Sequence, residues 1–164
     1  METAAIATDR GVTHPAETDP ATTDAAAVDA ALDRRLLAAG VLFAVGSAVH
    51  TLDHLRRGQG SITDGVYWAG NLALVLQVVV VTLIVTRHRL AAAAAVAAGF
   101  PLALGFLAVH WLPGWDALRD PLAEIDSWPW VSYAASLLEI AGALAVGFAG
   151  LAAFRRWGVQ RPAG

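Results

Sequence analysis

Four long apolar blocks, at residues 36–52, 65–86, 90–112 and 128–154, alternate with short polar segments that carry nearly all of the charge. A helix needs roughly 20 apolar residues to cross a bilayer, and about 17–25 serve. Each block therefore predicts a membrane-spanning helix. The first is short, but its helix can run on in the interface to Arg57, with Gly58 as its stop. Spans are expected at about 34–57, 65–86, 90–112 and 128–154. Pro101 falls midway along the third, where it removes a backbone donor and predicts a kink. The connections at 58–64 and 87–89 are short enough to force antiparallel neighbours, which gives an all-α fold: a four-helix transmembrane bundle, up-down-up-down.

Residues 1–23 are rich in Thr, Ala, Asp and Pro and hold too little apolar surface to offset ordering, so a disordered tail is expected there. Thr23 and Asp24 can cap a helix that leads into the first span. Residues 158–164 form a short C-terminal tail. Arg34–Arg35 followed by Ala44-Val45-Gly46 has the elements of a cleaved signal, but the residues before it argue for a span instead.

Composition supports the membrane reading: 57% of residues are apolar and 15% charged, and the mean hydropathy is +0.55. The absence of cysteine excludes disulfides and thiolate metal sites. A net charge of −3 without a basic stripe excludes nucleic acid as a partner. The partners expected are the lipid bilayer and either another membrane protein or a second copy of the chain. Arg34, Arg35, Arg87, Arg89, Arg155, Arg156 and Arg161 fall on one side of the spans, against Arg56, Arg57 and Arg119 on the other. That asymmetry predicts a plasma-membrane protein with both termini cytoplasmic. Trp68, Trp111, Trp115, Trp128 and Trp130 then form an outer aromatic belt. Small-residue stripes at Gly40, Ala44 and Ala48 and at Ala141, Ala145, Ala149 and Ala153 would permit close helix approach. In so Ala-rich a chain they also arise by chance.

The candidate chemistry begins with His50-x-x-Asp53-His54-x-x-Arg57, whose four residues share one helical face. Imidazoles at i and i+4 can hold one metal ion, and a carboxylate between them can be a ligand or fix a tautomer. His110 ends the third span at the same boundary. His50, Asp53, His54 and His110 thus have the composition of a zinc, copper or iron site. A haem with His50 and His110 as axial ligands is a second option, for which no attachment motif is present. The competing reading is solvated interfacial histidines.

Glu139 lies about 15 Å down the last helix from Pro129, near the midplane. An acid there must be neutral, paired or hydrated. Gln77 reaches a similar depth and Asn71 lies nearer the surface, so Glu139, Gln77 and Asn71 form a candidate buried polar or proton-linked group, along a stripe that includes Ser132 and Ser136. Placed about 10 Å deeper than His110 by helical rise, Glu139 is expected outside the first ligand shell. Asp116, Asp120, Glu124 and Asp126 read as a solvated acidic loop. No Ser-His-Asp order, phosphate loop or dinucleotide fingerprint points to an enzyme.

These motifs, with His110-Trp111-Leu112-Pro113 and Leu138-Glu139-Ile140-Ala141, resemble those of small four-helix integral membrane proteins of high-GC bacteria over roughly residues 34–154. The resemblance implies a four-helix bundle and carries no activity with it. The functional expectation is a small membrane protein with an outward-facing His/Asp site for a transition metal. The alternatives are an accessory subunit without its own cofactor, and a proton-coupled transporter or quinone-linked redox protein that uses Glu139.

Overall fold

The computed structural model describes residues 20–58, 60, 62–112, 116–122, 125 and 127–159. The tail expected at 1–23 lies outside these up to residue 19, as does the C-terminal tail beyond 159. The fold is all-α: α1 (Pro20–Arg57), α2 (Asp64–Val85), α3 (Ala91–Trp111) and α4 (Pro129–Val159), with a 3-10 turn at Asp116–Leu118. All four α-helices are long and apolar enough to cross a membrane.

The helix ends follow local chemistry. Proline opens both α1 and α4, at the position where its missing N–H costs nothing. α1 therefore begins at Pro20, ahead of the cap expected at Thr23 and Asp24. Gly58, at φ +84, stops α1 and donates its N–H to the His54 carbonyl at 3.0 Å. The Thr63 hydroxyl accepts from the Val66 N–H at 3.2 Å and caps α2. α3 continues through Pro101.

α4 is the centre of the bundle. Along α1 the buried positions are Leu36, Ala39, Gly40, Phe43, Gly46, Ser47, His50 and Asp53, a stripe at helical spacing that faces the other helices. Contact with α4 is backbone against backbone. A methyl group added at Gly46 would lie 2.8 Å from the Leu138 carbonyl oxygen, and one at Gly142 would lie 2.8 Å from the Phe43 Cα. On the other flank, a methyl at Gly99 of α3 would meet the Ala143 oxygen and the Gly147 nitrogen, both at 2.7 Å. Residue numbers rise along α1 and α3 as they fall along α4 in these contacts, so each runs opposite to it. Of the stripes expected at Gly40, Ala44 and Ala48 and at Ala141, Ala145, Ala149 and Ala153, Gly40 is buried against Ile84, Ala145 and Ala149 pack against the core and Ala153 is fully buried, while Ala48 and Ala141 are exposed. The closest backbone approaches fall at glycines, where no side chain intervenes.

α2 is held less closely. It meets α1 through Gly40 against Ile84 and through a bond from the Ser47 hydroxyl to Gln77 Oε1. Its remaining surface, including Trp68, Leu72, Val75 and Val78, is exposed and apolar, as a lipid-facing helix requires.

The close approach at Gly99 leads to a direct expectation. Gly99→Ala forces α3 from α4 and should destabilise the protein by about 1–3 kcal/mol, the usual cost of overpacking. Gly105→Ala, where an added methyl meets nothing within 4 Å, should leave thermal melting in detergent unchanged or raised.

Candidate metal centre

The last two turns of α1 and the end of α3 bring three imidazoles together. Among the described residues, His50, His54 and His110 each offer a ring nitrogen within 4.8 Å of the others. His50 and His110 are buried and His54 half-buried. The ring centroids of His50 lie 4.6 Å from those of His54 and 4.8 Å from those of His110. α1 and α3 both pack on α4, and the imidazoles bridge the space between them. The His50 and His110 rings touch edge to face, so a haem plane does not fit between them.

Hydrogen bonds define the tautomers. A guanidinium only donates, and Arg57 NH2 lies 2.9 Å from His54 Nδ1, so that nitrogen accepts and His54 carries its proton on Nε2. His54 Nε2 then donates to His50 Nε2 at 2.9 Å, which leaves the His50 proton on Nδ1. His110 Nδ1 donates to the Asp120 carbonyl at 3.0 Å and keeps its lone pair on Nε2. A backbone carbonyl behind an imidazole is the support that metal-binding histidines commonly have.

Asp53 shares the histidine face but does not join the imidazoles. Its carboxylate takes Arg56 NH2 at 2.8 Å and Arg57 Nε at 3.3 Å. Arg57 in turn reaches Asp120 at 2.6 Å. Asp120 is the residue that sequence reasoning missed. Read as part of a solvated acidic loop, it is only 3% exposed and closes the centre from above. Its N–H donates to the Val109 carbonyl at 3.1 Å, which ties the loop to the end of α3. The available signal was Arg57, a cation on a buried helical face that needs more than one carboxylate. Arg56 NH2 also donates to Ser132 Oγ at 3.1 Å and so fastens α1 to α4.

Glu139 comes nearer than helical rise alone predicts: its Oε2 lies 3.5 Å from His50 Nε2. His50 sits seven residues inside the end of α1, about 10 Å in at 1.5 Å per residue. Side chains tilt toward the N-terminus of their own helix, so on two oppositely running helices His50 and Glu139 lean toward each other. Glu139 Oε1 accepts from Gln77 Nε2 at 2.8 Å. Ser47, Gln77 and Glu139 thus link α1, α2 and α4. Ser136, fully buried, accepts from Trp111 Nε1 at 3.0 Å. Asn71 does not belong to this buried set. It is exposed and donates to the Tyr67 carbonyl within α2 at 2.8 Å.

A cavity of about 400 Å³ opens beside the imidazoles, between α1, α2 and α3, with Glu139 and Gln77 at its inner end. His50 Nδ1 and Glu139 Oε2 are buried without a hydrogen-bond partner. No protein-family model matches the chain, and neither does any curated protein or solved structure.

Burial alone would raise the Asp120 carboxyl, but the Arg57 hydrogen bond and charge, with His110 and His54 beside it, hold it below its ordinary 3.8. A depressed folded-state value means stability that is complete above the unfolded value and lost as pH falls through the folded one. Melting temperature should therefore drop on acidification below about pH 4. Asp120→Asn should remove part of that dependence and cost about 3 kcal/mol at neutral pH, because Arg57 stays buried with one carboxylate fewer.

Proposed function

We propose that the protein is a polytopic membrane protein that binds one divalent transition metal on His50, His54 and His110. The convergence of three ring nitrogens within 4.8 Å, two of them on buried residues, carries this reading. Imidazole suits zinc, copper and iron alike. Bonds of about 2.0–2.1 Å from a tetrahedral ion set ligand nitrogens a little over 3 Å apart, so the His50–His54 contact of 2.9 Å needs only a small opening. Three protein ligands leave a position free for water or substrate, and the cavity lies on that side.

Binding has one local requirement. An ion on His54 Nε2 replaces the proton there, and the neutral ring then carries its proton on Nδ1. Arg57 must release that nitrogen and rest on Asp53 and Asp120 alone. Asp53, expected as a ligand from its position in the motif, acts in this reading by holding Arg57. Glu139 borders the centre through His50, its Oε2 3.5 Å from His50 Nε2, and would add a carboxyl group beside the three imidazoles if an ion were held there.

The bundle spans the membrane up-down-up-down with both termini cytoplasmic, so the centre faces outward. Support comes from the arginine asymmetry, seven near one set of span ends against three near the other. Reporter fusions at the N-terminus, Gly60 and Gly164 should read inside, outside and inside. An outside signal at either terminus reverses the orientation.

Elemental analysis of the purified protein tests the metal directly. About one equivalent is expected per chain, absent from His50→Ala and His110→Ala and retained in His88→Ala, whose imidazole lies at the other end of α3 and accepts from the Leu90 N–H at 3.2 Å. A hundredfold excess of metal over its Kd should stabilise the wild type by about 2.7 kcal/mol, and neither histidine variant. A wild type without metal after reloading refutes the reading.

A further inference from the structure

We infer that the cavity beside the imidazoles is a binding site for a lipid-soluble phenol or quinol, with its hydroxyl head at His50 and Glu139. This shares a cavity with the metal reading but requires no ion.

The walls determine the body of the ligand. Leu55, Leu74, Leu102, Phe106 and Val109 make them apolar, and about 400 Å³ lies within the range of small-molecule sites. Phe106 sits 5.9 Å from the His50 ring and offers an aromatic face next to the polar end. Gly70 and Gly105 both border the cavity, and a methyl added at either meets nothing within 4 Å.

The polar end determines the head. Two buried atoms there have no partner, His50 Nδ1 and Glu139 Oε2. By the tautomer argument the first is an N–H donor, and in the proposed complex Glu139 is ionised, so that the second accepts. Leaving both unmet in an apolar setting is costly, and a bound group that meets both removes the cost. A carbonyl only accepts and an ammonium only donates; a hydroxyl does both. The two unmet atoms fix one polar head at the inner end, and the leucine, valine and phenylalanine side chains that share the walls with Thr51, Tyr67 and Asn71 take a mainly apolar ring.

The test uses the full chain in detergent, titrated anaerobically by calorimetry with duroquinol, duroquinone and the oxygen-free analogue durene. Saturable duroquinol binding is expected, with duroquinone and durene weaker by about tenfold or more, since each lacks the hydroxyl that donates to a carboxyl oxygen. Gly105→Leu should weaken duroquinol at least as much without lowering metal content, and Gly70→Leu, checked for unchanged melting, serves if Gly105→Leu does not fold. Absent saturation, durene as tight as duroquinol, or undiminished affinity in a folded cavity-filled variant would each overturn the inference. Duroquinol binding by metal-free protein leaves it standing and counts against the metal reading alone; stoichiometric metal without duroquinol binding does the reverse.

Discussion

The structure depends on how closely α4 can approach its two neighbours. Gly46 and Gly142 let its backbone meet that of α1, and Gly99 lets it meet α3. Without a hydrophobic drive between helices in lipid, such contact has to supply attraction through dispersion and hydrogen bonds. It also fixes geometry. With α1 and α3 both seated on α4, their outer ends are near enough for His50 to touch His110, and Glu139 arrives beside His50. The helix excluded from this contact is α2, and the space it leaves becomes the cavity.

The charged cap at the end of α1 follows a different rule. Arg56, Arg57, Asp53 and Asp120 balance, and Arg57, Asp53 and Asp120 have side chains only 2–4% exposed. A pair so placed contributes modest net stability but makes loss of one member expensive. Its stronger effect is on position. Arg57 cannot satisfy both carboxylates unless the loop at Asp120 folds over the centre, and that loop then supplies the carbonyl behind His110.

Much of this was legible in the sequence. Hydropathy alone located four helices, and Gly58 marked the end of the first. The i, i+3, i+4, i+7 spacing put His50, Asp53 and His54 on one face, and His110 was matched to them by its place at the end of a span. What could not be read there involved direction and distance between helices. Asp53 looks like a ligand by spacing, yet two arginines a turn away claim its oxygens. Asp120 looks solvated because a polar loop gives no sign of which of its acids turns inward. The depth of Glu139 was right along its own helix and misleading between helices, since rise per residue ignores the opposite lean of two side chains. The small-residue stripes were legible only in part: Gly40 and Ala153 are buried but Ala48 and Ala141 are exposed, because in a chain this rich in Ala four-residue spacing alone does not tell which face turns inward.

α1 is 38 residues long, about 57 Å at 1.5 Å per residue, against a hydrocarbon core of about 30 Å. Arg34 and Arg57 bracket a stretch long enough for the crossing, and in the proposed membrane orientation the helix from Pro20 to Asp33 would stand in water. An isolated segment of that length would be marginal, because starting a helix is the costly step. Here the start is made within the bundle, where α1 packs on α4, and each further turn is only propagation through alanine-rich sequence. The ion pair between Asp29 and Arg156 of α4, at 3.2 Å, is an exposed tether on this part. Its order is therefore borrowed from the packed part of the helix that it extends, as a zipper is held by the teeth already closed.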